Sequence, residues 1–344
     1  MKILEKVNAD CIIYILKQIR GHIMKKIITC IISVLLVSLI GCSNNKIAYE
    51  EKEVRLITPD GLPSIGISKS IDDNKNIKHI TINYEIQKTS DLLVSELMKG
   101  EAELAIIPSN LALQAYKKGL DYKIAGTIGW GSLYLVSTND INDLKELKGK
   151  EIYNTGKGLT PDIIFKEILK ENNISEEEIN FSYVGAASEL SPLVVTGKAE
   201  YAIVPEPILS TVMSKNPNIK ILLSLNEEWA KFNNVKEGYP QSTLVIKEEF
   251  FNEIKDSGVY EELINVFNNS EEFALNNPQD TASICEKLGI NVNKDVIEQS
   301  MKNSNLRFTD ISVCMEEYNV YFGIIDKDSK GEKDEYKPLF IEKQ

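Results

Sequence analysis

GKAEYAIVPEP, residues 197–207, is nearly a copy of GEAELAIIPSN, residues 100–110, and this repeat is the strongest indication of how the chain folds. Six of the eleven aligned positions are identical, and the two copies lie 97 residues apart. A second pair of features keeps the same offset, Gly61-Leu62 and Gly158-Leu159. Two separate features at one offset indicate that two parts of the chain are built alike.

Each half alternates strands and helices around these phrases. The first half predicts strands at VRLIT, KHITINYEIQ and AELAII, with helices from about residue 64 and over SDLLVSELMKG. The second predicts strands at KEIYNT, INFSYVG and EYAIVP, with helices over GLTPDIIFKEILKEN and SELSPLVVTGKA. SLYLVST and YPQSTLVIKEEF are expected to cross between the halves, followed by helices to about Tyr321. The pattern predicts an α/β fold, with two Rossmann-like lobes of parallel-rich sheets joined by two crossover strands.

The ends of the predicted strands favour a single binding site between the lobes. Ligands of open α/β sheets bind beyond the carboxyl ends of the strands. Each duplicated phrase ends in proline plus polar residues, Ser109 and Asn110 in one copy and Glu206 in the other. Helices begin nearby, and their first turns offer free N–H groups and a positive dipole end. We therefore expect each lobe to supply one wall of the site.

The N-terminus has the pattern of a secretory signal. In MKKIITCIISVLLVSLIGCSNN, residues 24–45, Lys25 and Lys26 precede an apolar run that ends at Gly41-Cys42. This run is shorter than the roughly 20 residues of a membrane-spanning helix. The end of the segment resembles a bacterial lipobox, which predicts lipidation (palmitate) of Cys42 and a position on the extracytoplasmic face of the cell membrane. Residues 1–23 are interpreted as an upstream extension, and the choice between Met1 and Met24 as the start stays open.

Charge and cysteine content exclude some classes of partner. The chain carries a net charge of −12, which becomes −16 without residues 1–41, so a nucleic-acid partner is not expected. Only two arginines follow residue 41, Arg55 and Arg307, which leaves few candidates for gripping a strong anion. Cys285 and Cys314 are expected either to pair or to stay free thiols. No spacing suggests a metal site, and no cofactor is predicted.

Five motifs in order carry a family resemblance: TPDGLPSIGISK, LMKGEAELAIIPSNLA, GTIGWGSLYLV, LKGKEIYNTGKGLTPDIIFKEIL and GKAEYAIVPEP. Together they resemble the bacterial substrate-binding lipoproteins of ABC transporters, of the nitrate, sulfonate, taurine and thiamine-precursor type. The resemblance covers about residues 52–322. It implies the type II periplasmic-binding-protein fold and a hinge that closes around a small molecule, near residues 133–138 and 241–246. It also implies an ABC permease and its ATPase as partners, and a monomer.

With this resemblance the chain is divided as follows. Residues 1–41 are the extension plus signal peptide, 42–51 a lipid-anchored linker, 52–137 and 241–322 the first lobe, 138–240 the second lobe, and 323–344 a charged, solvated tail. The ligand-binding residues that the resemblance implies, together with Trp130 as an aromatic platform, are Gly61, Leu62, Pro63, Ser64, Ser109, Asn110, Trp130, Gly131, Thr155, Gly156, Gly158, Leu159, Thr160 and Glu206. Trp229 is expected to serve packing.

Three functions compete at this point. The main expectation is a solute receptor for import that takes a ring-containing or weakly charged molecule, with sulfonates and taurine left open. The alternative is a two-lobe enzyme of the menaquinone or thiamine-precursor type, which would need no lipobox and for which no nucleophile–base pair is evident. A ligand-binding sensor without a permease is the third.

Overall fold

The computed structural model describes residues 14, 17, 18, 20, 51–74, 76–155, 157–185, 187–332 and 334–342. Cys42, the signal peptide and Gly156 lie outside the described residues. The contacts divide the chain into Met1–Glu50 and one compact unit, Glu51–Gln344. None of the helices described has the length and hydropathy needed to cross a membrane.

The strands and helices of the compact unit alternate along most of the chain. The strands are β1 Lys52–Pro59, β2 Ile80–Gln87, β3 Leu104–Pro108, β4 Tyr122–Trp130, β5 Leu133–Ser137, β6 Glu151–Thr155, β7 Asn180–Val184, β8 Tyr201–Pro205, β9 Lys220–Ser224, β10 Pro240–Lys247 and β11 Leu306–Asp310. The helices are α1 Leu62–Gly66, α2 Ser68–Asp73, α3 Ser90–Lys99, α4 Ser109–Lys117, α5 Thr160–Glu171, α6 Ala187–Val195, α7 Ile208–Lys215, α8 Leu225–Asn233, α9 Glu248–Ile254, α10 Val259–Asn276, α11 Pro278–Leu288, α12 Ile297–Lys302 and α13 Ile311–Ile325.

Two mixed sheets form the two lobes. The first has six strands in the order β11-β4-β10-β3-β1-β2, and the second has five in the order β7-β6-β8-β5-β9. β1 pairs in parallel with β2 and β3, and β6 pairs in parallel with β7 and β8. β10 is antiparallel to both β3 and β4, and β5 is antiparallel to both β8 and β9. The predicted two-lobe α/β fold is therefore confirmed.

The two copies of the duplicated phrase occupy matching places. Each begins with a glycine after a helix, Gly100 and Gly197, whose φ angles of 66° and 75° suit the left-handed turn that ends a helix. The strands that follow, β3 and β8, are almost completely buried and end at Pro108 and Pro205. An antiparallel strand pairs with the proline end of each, β10 at Pro108 and β5 at Pro205. The two copies of the phrase therefore occupy equivalent positions in the two sheets.

The chain crosses between the sheets twice, and the two crossings touch. The outward crossing is Gly131-Ser132, and the return ends at Tyr239, just before β10. The Gly131 N–H donates to the Tyr239 carbonyl at 3.1 Å, and the Ser132 N–H donates to Gln241 Oε1 at 2.9 Å. β5 pairs with the second sheet along its whole length, so the outward crossing comes before residue 133 rather than at the predicted boundary after residue 137. The reason is that SLYLVST has the pattern of one continuous strand, and this pattern does not show which sheet the strand joins.

The C-terminal part differs from expectation in two respects. Residues 306–310, predicted as helical, form the strand β11, in which Leu306 and Phe308 are buried on either side of exposed Arg307. The predicted charged tail is also only partly solvated, because α13 continues to Ile325 and the apolar residues after the charged run pack on the first lobe. The Ile341 N–H donates to the Ile124 carbonyl at 3.1 Å, which extends the sheet beside β4.

Cys285 and Cys314 are both buried free thiols. Of the two possibilities that the sequence left open, the structure selects the unpaired one. The core around them is apolar, and burial raises the pKa of Cys285 to about 11 and that of Cys314 to about 12. Both thiols are therefore neutral at ordinary pH and serve packing.

Candidate ligand site between the two lobes

The loop after β1 holds the first group of predicted site residues. Gly61 has a φ of 123°, a conformation that L side chains rarely adopt, and α1 starts directly after it with Leu62 and Pro63. The Ser64 hydroxyl accepts the Gly61 N–H at 3.2 Å and donates to the Gly61 carbonyl at 3.0 Å. Ser64 therefore stabilises the shape of this loop.

The loop after β3 points two neighbouring side chains in different directions. The Ser109 hydroxyl bonds to the Thr243 hydroxyl inside the first lobe, in a buried network that also contains Tyr318. Asn110 instead faces the second lobe, where its Oδ1 accepts the Thr160 hydroxyl at 3.3 Å. Asn110 is thus the member of this pair that lies between the lobes.

The loop after β6 is held by a buried carboxylate that the sequence did not single out. Gly158 has a φ of 77°, and its N–H donates to Asp162 Oδ2 at 2.8 Å. Asp162 Oδ1 accepts the Tyr183 hydroxyl at 2.7 Å, and the Lys166 ammonium lies 3.2 Å from Oδ2. Asp162 therefore fixes the loop that precedes Thr160.

Two further predicted residues of this loop differ in exposure. Leu159 is 41% exposed, while Thr155 is half-buried and donates its N–H to Asn154 Oδ1 at 2.8 Å. Asn154 itself is fully buried, and its Nδ2 has no hydrogen-bond partner among the described residues.

Glu206 joins the two lobes from the end of β8. It is 4% exposed and accepts the Ser210 hydroxyl at 2.8 Å and Asn303 Nδ2 at 3.0 Å. Asn303 follows α12 in the first lobe, and its carbonyl accepts the Tyr134 hydroxyl of the second lobe at 2.8 Å. Burial raises the pKa of Glu206, although its hydrogen bonds favour the charged form.

Trp130 and Gly131 lie at the outward crossing. Trp130 is 2% exposed, and its Nε1 donates to Thr309 Oγ1 at 3.1 Å. The Gly131 carbonyl accepts Asn305 Nδ2 at 2.6 Å. A Cβ at Gly131 would lie 2.4 Å from Asn226 Oδ1 and from the Tyr239 ring, so the close approach of the two crossings requires glycine here.

Three aromatic residues that sequence reasoning assigned to packing or did not select meet beneath these loops. Trp229, Tyr239 and Tyr321, here called the aromatic floor, have ring centroids 5.9, 6.1 and 6.4 Å apart. The Tyr321 hydroxyl lies 3.2 Å from Thr160 Oγ1, which also donates to Asn110. Tyr321 therefore connects the aromatic floor to the contact between the two lobes. The only sequence signal for it was the position of Tyr239 beside a predicted crossing strand.

Two clefts open beside these contacts. The larger, about 830 Å³, lies between α4 of the first lobe and α5 of the second, and Asn110 and Gly158 line it. The smaller, about 450 Å³, lies between β9 and the segment after α12, with Tyr134 and Asn303 in its lining. The described part of the chain contains no group of three or more His, Cys, Asp or Glu side chains that could hold a metal ion.

Two α/β lobes joined by two crossings, with polar side chains at strand ends bonded from each lobe to the other, have the fold of type II periplasmic binding proteins. The NMT1/THI5 like family matches residues 80–281, more than half of the chain, and the chain belongs to that family. The resemblance inferred from the five sequence motifs is thereby confirmed.

Solved structures of ABC-transporter proteins share the fold. An ABC transporter from Parabacteroides distasonis is 21% identical, with a TM-score of 0.71 over 85% of this chain and 99% of that one. The periplasmic aliphatic sulphonate binding protein SsuA from Escherichia coli is 13% identical, with a TM-score of 0.67 over 86% and 94%. The periplasmic nitrate-binding protein NrtA from Synechocystis PCC 6803 is 10% identical, with a TM-score of 0.53 over 74% and 69%. The sequence matches no curated protein.

Proposed function

We propose that the protein is an extracytoplasmic solute-binding lipoprotein of an ABC importer. It captures a small molecule between its lobes by hinge closure and delivers it to a permease that an ATPase drives. Binding, rather than catalysis, is the role that the solved structures with this fold support, since their names describe binding or transport.

One observation carries this proposal. One polar residue at the end of each copy of the phrase reaches the opposite lobe, Asn110 through Thr160 and Glu206 through Asn303, while Ser109 bonds inside its own lobe. The ends of β3 and β8 thus each contact the opposite lobe, and contacts between lobes are what a receptor forms when it closes on a guest molecule. The bonds between the lobes distinguish a closed form from an open one. A ligand shifts the equilibrium between these two forms only if it binds one of them more tightly than the other.

The ligand is proposed to be ring-containing or weakly charged. Both arginines that follow residue 41 are already engaged: Arg55 pairs with Glu85 at 2.8 Å, and Arg307 pairs with Glu237. An arginine fork is therefore not free to grip a strong anion at the site. Sulfonates, which the SsuA proteins bind, stay a second ligand class, because neutral donors and helix N-termini also bind anions.

Calorimetric and thermal-shift titration of the lipid-free chain from residue 43 tests binding directly. The compounds to titrate are an uncharged pyrimidine, a flavin, taurine and an alkanesulfonate. A true ligand at 100 times its Kd stabilises the protein by about 2.7 kcal/mol. Chemical turnover of a bound compound would instead favour the enzyme alternative, and loss of uptake of that compound in a deletion strain supports import over sensing.

Anchoring through Cys42 is part of the same proposal and has its own test. Metabolic labelling with an alkyne fatty acid is expected to mark the parent protein and not the Cys42→Ala variant, and mass spectrometry should find Cys42 as the mature N-terminus. Label on the Cys42→Ala variant would contradict the lipobox interpretation.

A further inference from the structure

A short segment of the first lobe contacts the second lobe and both crossings within five residues. It comprises residues 303–307, from the end of α12 into β11, and is here called the clasp. At its start the Asn303 side chain donates to Glu206 Oε1 at 3.0 Å, and the Asn303 carbonyl accepts the Tyr134 hydroxyl at 2.8 Å. Both partners belong to the second lobe, so the clasp bridges the lobes without being one of the two covalent crossings.

The middle of the clasp holds the outward crossing. The Asn305 carbonyl accepts the Trp130 N–H at 3.1 Å, and Asn305 Nδ2 donates to the Gly131 carbonyl at 2.6 Å. Asn305 makes both bonds from a φ of 49°, a left-handed conformation that asparagine adopts more readily than most residues. One residue thus fixes the backbone at the point where the chain leaves the first sheet.

The end of the clasp holds the return crossing. The Arg307 guanidinium forms an ion pair with Glu237, which lies two residues before Tyr239. The Glu237 carbonyl in turn accepts Asn226 Nδ2, from α8 of the second lobe, at 3.0 Å. The clasp therefore contacts both crossings, and a rotation of one lobe against the other changes its contacts.

The strand β11 anchors the clasp in the first lobe. Leu306 pairs with Gly129 of β4, and the register shifts before the next pair, at Thr309. Within this shift the Phe308 N–H donates to the buried carboxylate of Glu271. Leu306 also lies 3.3 Å from where a Cβ on Gly66 would be, at the end of α1. The clasp is thus fixed to the first lobe and lies against the helix that begins at the first candidate ligand loop.

Open space borders the clasp on the side of the second lobe. The smaller cleft, about 450 Å³, is lined by Asn303 and Asn305 of the clasp and by Tyr134 and most of β9 from the second lobe. It shares no lining residue with the larger cleft between α4 and α5. The second lobe can therefore move against the clasp without first displacing packed side chains there.

We propose that the clasp is a conformational device of the hinge, whose bonds to the second lobe and to the two crossings set the fraction of molecules that are closed before any ligand arrives. The inference goes beyond the proposed function and rests on it only for the mobility of the lobes. Each contact that is lost from the clasp lowers the closed fraction, because the open form makes fewer of these bonds.

The double variant Asn305→Gly with Arg307→Ala tests the clasp. Both side chains are exposed, so the change removes contacts rather than core packing, and glycine keeps the left-handed backbone at position 305. The matched control is Asn74→Gly with Lys220→Ala. Asn74 has a φ of 41° and ends α2 within the first lobe, and Lys220 pairs with Asp140 within the second lobe.

Hydrogen exchange followed by mass spectrometry is the first measurement, on the chain from residue 43, which contains the whole compact unit. In the double variant the amides of both crossings, residues 128–134 and 235–241, are expected to exchange about three to ten times faster than in the parent and in the control. A merely structural role of the two side chains would confine faster exchange to residues 302–310, and that result overturns the inference.

Single-molecule energy transfer is the second measurement, between dyes on Lys118→Cys in the first lobe and Lys198→Cys in the second. Both positions are exposed, and the native thiols of Cys285 and Cys314 are buried. The ratio of long-distance to short-distance molecules is expected to rise about three- to tenfold in the double variant and to stay unchanged in the control. An unchanged distribution in the double variant overturns the inference. Neither measurement uses a ligand, so failed ligand titrations would remove the proposed function and leave this test decisive.

Discussion

Replacing Gly131 with alanine tests whether the two crossings between the lobes are as tightly fitted as they look. The added Cβ would lie 2.4 Å from Asn226 Oδ1 and 2.4 Å from Cζ of Tyr239, both far inside van der Waals contact. Neither neighbour is free to retreat. Asn226 accepts the Tyr239 N–H at 3.1 Å and donates to the Glu237 carbonyl at 3.0 Å, and the Tyr239 ring packs against Trp229.

The magnitude follows from overpacking. Extra methylene-sized groups in a well-packed core cost about 1–3 kcal/mol. A compact unit of about 290 residues has an unfolding entropy of roughly 0.6 kcal/mol/K, so each kcal/mol lowers the melting temperature by about 1.6 °C, and Gly131→Ala is expected to lose about 2–5 °C. The lost stability is expected to come with weaker ligand binding, because the return crossing and Tyr239 must move together.

Differential scanning calorimetry of Gly131→Ala beside Gly129→Ala is the assay. Gly129 lies two residues earlier, in β4, and a Cβ there would make only ordinary contacts, at 3.6 Å from Leu306 and 3.9 Å from Ser242. The control is expected to be neutral or slightly stabilising, because alanine restricts the unfolded chain. Equal melting temperatures for the two variants would show that the crossings yield easily, and the reasoning about the hinge would fail.

Three further changes probe single contacts. Glu271→Gln is expected to stabilise the protein at pH 8 but not at pH 4 in denaturant titrations. Burial raises the pKa of Glu271 well above its ordinary value. The stability that the neutral carboxyl contributes at low pH is therefore lost as the pH rises from the ordinary pKa to the raised one. Asn303→Ala removes the donor to Glu206, so we expect a loss of about 1–3 kcal/mol and more open lobes in small-angle X-ray scattering; an unchanged radius of gyration would contradict this. Asp162→Ala frees the Gly158 N–H, and faster amide exchange in the loop after β6, with a weaker ligand affinity, is the expected result.

Local signals explain why the two-lobe fold was predictable. The duplicated phrase combines a helix-ending glycine, an apolar strand and a strand-ending proline, and each of these acts within a few residues. The outward crossing was predicted too late because SLYLVST has the pattern of one continuous strand, although its first residue belongs to the Gly131-Ser132 link between β4 and β5. The apolar pattern of a buried strand shows neither which sheet the strand joins nor where the chain leaves the previous sheet.

The sequence located the candidate site at the ends of the strands, but it did not show which side chains point into the site. Ser109 and Asn110 are neighbours in sequence, yet one bonds inside its own lobe and the other across the gap, since successive helix positions point about 100° apart. Trp229 and Tyr321 are 92 residues apart and meet only through the packing of α8 against α13 around the hinge. Such a meeting has no local pattern, so the aromatic floor could not be found from one sequence.

The arrangement of the two sheets also sets an order in which the two lobes can be completed as the chain is synthesised. All five strands of the second sheet come from one stretch, residues 133–224. The first sheet needs residues 52–130, then 240–247, and finally 306–310 and the segment that bonds to Ile124. The second lobe can therefore reach its native form while the first still waits for its last strands, and the first lobe, with its unpaired β4 edge, is the part that stays open longest to wrong strand pairing.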